Sequence, residues 1–313
     1  MDYYACAKKF ILKNARPLDM ARWNYLFENG SKEDVINILK TYQNTDGGFA
    51  NALEPDCWNI NSTPLQTWAA TRIIKEINLD DKNHPIIKGI IDYLSSNDEF
   101  DGHRWNGLNT VVTNDNYPHA PWWSYSQKQE LKYNPTASLI GFILKYAEKH
   151  TAIYKLACKL SKEAYDYFKK SFPLESMHES ACFIELYDYM KECSISNLID
   201  MEEFNKLLQK QIKQVITYDT KRWSNDYICK PSLFIDSKSS DFYLENKDIC
   251  DFECQFILNI QNNDGSWNVT WDWNNYLEEW AISKNWWKSD IIIKNNELEA
   301  LELNNNEIIK CDL

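Results

Sequence analysis

Three short stretches of the chain gather side chains able to move protons and hold a ligand. The first carries Glu54 and Asp56 inside the run Ala50-Asn51-Ala52-Leu53-Glu54-Pro55-Asp56-Cys57-Trp58, which is apolar and aromatic for a surface connection. The second is Asn114-Asp115-Asn116-Tyr117-Pro118-His119-Ala120-Pro121-Trp122-Trp123. Its two prolines bar a regular helix or a central strand; long loops are usually functional or disordered, and the paired tryptophans argue against disorder. The third is the pair His178-Glu179. A carboxylate in apolar surroundings has its pKa raised by desolvation and serves as a general acid, while imidazole titrates near neutrality. Glu54 or Asp56 is therefore the candidate acid, and His119 or His178 the candidate base, with Glu179 beside the latter. Trp122 and Trp123 are candidate walls whose ring faces stabilise a cation or lie on a sugar. Asp115 and Trp105 complete the substrate-binding set. Each residue also has a purely structural use: Glu54 and Asp56 as caps for the helix that follows, Glu179 as an acid in a helix first turn, and the tryptophans as core.

These stretches hang on a repeated turn. Gln43-Asn44-Thr45-Asp46-Gly47-Gly48-Phe49 returns as Gln261-Asn262-Asn263-Asp264-Gly265-Ser266-Trp267. Each copy follows an apolar run at helical spacing, so each Gln sits in the last turn of a helix. The Asp-Gly pair breaks that helix, because Gly takes the left-handed conformation and Asp bonds its own local backbone. The aromatic then folds back as a plug. Fainter copies run from Asn97 to Trp105 and from Tyr218 to Trp223. The beat of roughly 50 to 60 residues is that of a helix pair plus a loop.

Apolar periodicity and caps predict helices near Tyr3–Asn14, 16–29, 31–43, 64–77 and 85–95. Further helices are expected from Asn134-Pro135-Thr136 to about His150, then at 152–171, 176–193, 201–217, 248–260 and 290–304. That makes about eleven helices, with no convincing strand and no linker, so residues 1–313 read as one all-α domain.

Composition narrows the partners. A formal charge of −12, from 34 Lys+Arg against 46 Asp+Glu, offers no basic stripe to nucleic acid or an anionic membrane. No run approaches the ~20 apolar residues of a membrane span, and the N-terminus lacks a signal peptide's apolar region. The nine cysteines are odd in number and scattered, which fits free thiols in a cytoplasmic protein rather than a disulfide framework. Aromatic residues are abundant, with 13 Trp, 18 Tyr and 13 Phe, whereas Gly is scarce at 8. The composition thus argues against an all-β or doubly wound fold.

The pattern Q-x-x-D-G-[SG]-[WF] is similar to the QW repeat of terpenoid cyclases and protein prenyltransferases, whose fold is an α/α toroid of helix pairs. A broader resemblance, to a bacterial prenyltransferase-like or squalene-cyclase-like family, rests on several stretches. These are Asp46-Gly47-Gly48-Phe49 through Asp56, Tyr117 through Trp123, Asn134 through Ser138, Met177-His178-Glu179 and Asp264-Gly265-Ser266-Trp267. The resemblance implies a single toroid in which loops of successive helix pairs converge at one end of a central aromatic cavity. The three candidate stretches would meet there, around a small isoprenoid or other apolar substrate.

The known chemistries of those enzymes are not spelled out here. No D-x-D-D run occurs, and Asp80-Asp81 lacks the later Asp of D-D-x-x-D. Asp248-Ile249-Cys250 resembles the start of the prenyltransferase zinc set, but all five histidines (His84, His103, His119, His150, His178) precede Cys250. No metal site is therefore expected, and Cys250 and Cys254 read as buried thiols on one helical face. No cofactor or oligomeric state is indicated. Two other functions stay open: a carbohydrate-active α/α barrel, with paired carboxylates and stacking tryptophans, and a toroid scaffold without catalysis.

Overall fold

The computed structural model describes residues 2–96, 98–127 and 132–303, with side chains described as far as Leu298; Asn97, Cys311 and the expected helix end at 304 lie outside. Among the described residues the chain is all-α, with eleven α-helices, six short 3-10 helices and no strand. No described helix is long and apolar enough to cross a membrane. The chain divides into two compact units, one from residues up to Ser31 with Val215–Asp272 and Ala281 onward, the other from Lys32–Gln214 with Trp273–Trp280.

In the first unit, α1 (Tyr3–Asn14) is capped by Asp2, whose carboxylate accepts the Ala5 N–H at 3.0 Å. Helix α2 (Pro17–Phe27) starts on a proline, which fits the first turn because its missing N–H would have no helical partner. Helices α10 (Tyr243–Asn259) and α11 (Leu277–Leu303) complete this set, α11 beginning in the other unit. Their apolar faces and the turn residue Trp267 meet in a core of Ala7, Phe10, Ile11, Trp23, Ile257, Trp267, Ile292 and Ile293.

The second unit is built on α3 (Lys32–Leu39), α4 (Pro64–Glu76), α5 (Pro85–Ser96), α6 (Thr136–Tyr146), α7 (Ala152–Ser171), α8 (Met177–Glu192) and α9 (Met201–Val215). All of α6 except Lys145 is buried, as expected of a helix that is apolar all round and packed on every side. It packs against α4, α5, α7 and α8. Thr63, Thr151 and Ser176 cap α4, α7 and α8 through their hydroxyls.

Three boundaries differ from expectation. Helix α6 stops at Tyr146, where Ala147 turns extended and Thr151 caps the next helix. Helix α10 begins at Tyr243 rather than 248. Helix α11 begins at Leu277 rather than near 290, with Glu278 and Glu279 suited to its N-terminal dipole. The dense tryptophans of 280–287 masked that helix, since aromatic residues dilute helical propensity.

The two full copies of the turn are held by the same bonds. Gln43 Nε2 donates to Gly47 O at 2.9 Å and to Ile86 O in the first turn of α5 at 3.0 Å. Gln261 Nε2 donates to Gly265 O at 3.1 Å and to Tyr3 O in the first turn of α1 at 3.0 Å. Asp46 and Asp264 each accept the N–H two residues on, at 2.9 Å. Gly47 and Gly265 both have φ +88°, and a Cβ there would stand 2.1 Å from Gly89 O or 2.0 Å from Cys6 O. Each turn therefore ends one helix and clasps the start of another. Among the plugs, Phe49 and Trp105 are fully buried, and their N–H groups donate to the hydroxyls of Thr67 and Thr136 at 3.0 Å.

Candidate functional site

The plug at Phe49 decides where Glu54 and Asp56 go. Its carbonyl accepts the Thr63 N–H at 3.1 Å, which pins the chain at the start of α4. The intervening residues must loop out and return, with Asn51 N–H donating to Asn59 O at 2.9 Å. The tight excursion forces Asn51 and Ala52 to positive φ, 60° and 57°. From α4, fully buried Gln66 accepts the Glu54 N–H at 2.8 Å and donates to Cys57 O at 2.7 Å. Glu54 Oε2 accepts the Asp56 N–H at 2.9 Å. Asp56 is buried, and its Oδ1 accepts the indole N–H of Trp273 at 2.9 Å.

The loop of His119 lies directly on this turn. Cys57 and His119 form an isolated antiparallel bridge, in which Trp58 N–H donates to Pro118 O at 2.9 Å and Ala120 N–H to Asp56 O at 2.8 Å. A buried amide pair braces the junction. Asn59 Nδ2 donates to Asn114 Oδ1 at 2.9 Å and to Thr113 Oγ1 at 2.8 Å, while Asn114 Nδ2 donates to Leu108 O at 2.9 Å. Amides serve here because each offers donors and an acceptor on a short stem, so the two side chains bond each other while reaching a hydroxyl and a backbone carbonyl.

His119 is 4% exposed, and its hydrogen bonds fix its tautomer. Nδ1 lies 2.6 Å from Tyr117 O. A carbonyl only accepts, so Nδ1 carries the proton in the neutral ring and Nε2 presents its lone pair. Facing that lone pair, at 2.8 Å, is the hydroxyl of Ser124, which therefore donates. Asp115 Oδ1 stands 3.7 Å from the same Nε2 and accepts the Tyr125 N–H at 2.9 Å. The Tyr276 ring lies 5.7 Å from the imidazole between centroids. Asn274 and Tyr276 also sit at positive φ, so both segments beside His119 hold strained non-glycine backbone.

The tandem tryptophans separate. Trp123 is core at 1% exposure, whereas Trp122 stays 38% exposed. Trp105 is core as well, its ring 4.7 Å from that of Phe100 and tilted by 37°. Glu179 is buried among other partners. Its N–H is capped by Ser176 Oγ at 3.2 Å, and its Oε1 accepts the Tyr133 N–H at 2.8 Å. Burial, and then Glu179, push the Tyr167 phenol up to about 12, and the Arg104 guanidinium lies over the Tyr133 and Tyr167 rings. His178 is half-buried on the same turn of α8. The bonds of Glu54, Asp56, Asp115 and His119 thus form one constellation, and those of Glu179 another.

The residues that spacing did not reveal are Ser124, Trp273 and Tyr276. A His and a Ser five positions apart across Pro121 carry a weak signal, and the Trp271–Trp280 run read only as an aromatic tail. The eight described cysteines are free. Burial pushes the Cys57 thiol far up, and the partly buried Cys250 up to about 12, so neither is a ready nucleophile. Among the described residues no group of three or more His, Cys, Asp or Glu side chains is placed to hold a metal ion. Beside the first repeat turn an open groove of about 700 Å³ is lined by Gln43, Asp46, Asn61, Tyr93, Asp98 and Glu99, among others. No protein-family model, no curated protein and no solved structure matches the chain.

Proposed function

We propose that the chain is an enzyme whose reaction turns on proton transfer at His119, acting on a small, largely apolar molecule such as an isoprenoid. The observation that carries this reading is the orientation of His119: Tyr117 O holds Nδ1, so a buried imidazole offers its basic nitrogen to an exposed hydroxyl. Asp115, 3.7 Å from that nitrogen, is placed to stabilise the imidazolium once the proton has moved. Trp122 and Tyr276, 38% and 40% exposed, would supply the ligand's walls. Glu54 and Asp56 act in this reading as positioning groups, because their oxygens are engaged with the Asp56 N–H and the Trp273 indole. The toroid scaffold belongs to the same proposal, supported by the shared bonding of the two Q-x-x-D-G turns. A second reading, a carbohydrate-active protein, draws on the polar groove with its three carboxylates.

Ligand-detected thermal stabilisation tests both readings. Prenyl alcohols, prenyl diphosphates with Mg²⁺, and oligosaccharides are screened against the purified protein, His119→Ala and Trp122→Ala. A ligand at 100 times its dissociation constant stabilises by about 2.7 kcal/mol. A prenyl hit lost in both variants is the expected result. An oligosaccharide hit retained in both variants moves the site to the groove. No hit in any panel counts against both the prenyl and the oligosaccharide readings.

A further inference from the structure

Resting on the proposed proton transfer at His119, we infer that Ser124 is a covalent nucleophile and that the substrate class is a carboxylic ester. A serine hydroxyl is a poor nucleophile until an adjacent base takes its proton. Here the base is 2.8 Å away, in the tautomer that accepts, and a third group orients it from the far ring nitrogen at 2.6 Å. Nucleophile, base and orienter are the three parts such chemistry needs, with a backbone carbonyl as the orienter. Exposure is divided as the reaction requires: Ser124 is open to solvent, while His119 is buried and fixed beneath it. Ser124 itself follows the 3-10 helix Pro121–Trp123, so the exposed Trp122 sits two residues before the hydroxyl and would lie along an apolar acyl or alkyl chain.

The step balances with water as the only co-reactant. Ser124 Oγ bonds to the ester carbonyl carbon as its proton passes to His119 Nε2. The carbon–oxygen bond to the leaving alcohol then breaks, and the alcohol departs with that proton. Water next gives a proton to Nε2 and attacks the acyl-serine. The acyl–Oγ bond breaks, the acid leaves, and Ser124 recovers its hydrogen from His119.

The test is covalent labelling of the full chain with an alkyl fluorophosphonate, read by intact mass and peptide mapping, together with turnover of p-nitrophenyl butyrate. The expected result is one adduct on Ser124 and release of p-nitrophenol with an initial burst. Both should be abolished in Ser124→Ala and kept in Ser126→Ala. In His119→Gln, labelling should slow about a hundredfold or more. Ser124→Ala removes one hydrogen bond to His119 but no buried packing, so it should stay folded with a melting temperature lowered by only a few degrees, which separates lost chemistry from lost folding. Labelling at another serine, or undiminished labelling and turnover in Ser124→Ala, overturns the inference. A folded wild type that resists the probe yet binds a prenyl ligand in a His119-dependent way overturns Ser124 as nucleophile and leaves the proton-transfer reading standing. Failure of both experiments overturns both.

Discussion

Asp56 is the residue on which the candidate site turns, because it joins three segments at once. Its carbonyl holds the His119 loop through Ala120 N–H, its N–H is held by Glu54, and its carboxylate holds Trp273. A buried hydrogen bond contributes about 0.5–1.5 kcal/mol, an acceptor left unpaired costs about 1–3 kcal/mol, and truncating a buried indole adds the loss of packing. Trp273→Phe should therefore destabilise by about 3 kcal/mol or more in urea denaturation. It should also slow the proposed reaction at Ser124 by loosening the bridge beneath His119. Asp56→Asn, which retains an oxygen acceptor, should cost less than Asp56→Ala. Equal losses in the two Asp56 variants would mean that the Trp273 bond contributes nothing.

Among the elements, the Q-x-x-D-G turn does more than stop a helix. The glycine lets the turn lie against the backbone of a second helix, and the glutamine bonds one carbonyl of its own turn and one in the first turn of that helix. Left-handed backbone costs a non-glycine residue about 1–2 kcal/mol. Gly102 has φ +100° and nothing within 4 Å of the place a methyl group would occupy, so Gly102→Ala should cost about that amount alone. Gly47→Ala and Gly265→Ala must in addition push back a helix backbone 2.1 or 2.0 Å away, so each should cost above about 3 kcal/mol. Denaturation midpoints of the three variants decide this, and similar midpoints would show that the clasp yields freely.

For the whole molecule, the two compact units raise the question of how far they unfold together. The first unit carries a buried ion network. Asp19 is fully buried and takes Arg16 Nε at 2.8 Å and Arg22 Nη1 at 3.3 Å, while Arg22 also reaches Asp290 on α11 at 2.9 Å. Burial pushes the Asp19 carboxyl up against the pull of both arginines. Removing one side of such a network costs about 3–5 kcal/mol, because the charges left behind stay desolvated. In native-state hydrogen exchange, Asp19→Ala should strip protection from α1, α2 and α10 while α6 and α8 keep theirs. Equal loss in all five helices would mean a single cooperative unit.

Helices and the turns between them were legible in the residue order. Both follow from interactions within a few residues: apolar periodicity, hydroxyl caps such as Thr63 and Ser176, and the Asp-Gly pair at Gly47 and Gly265. Residue type alone also marked Asp56 and His119 as chemically unusual, since a carboxylate and an imidazole stand out among prolines and tryptophans. Which of the marked groups meet was left to the folded chain. The Cys57–His119 bridge, the Trp273 indole on Asp56 from 217 positions away, and the separation of core Trp123 from exposed Trp122 depend on chain closure, which no local pattern encodes. The tautomer of His119, on which the proposed role of Ser124 rests, was set by one backbone carbonyl. Its position depends on φ and ψ in a loop rather than on residue type, which is why the hydroxyl beside the base was not legible until the loop was folded.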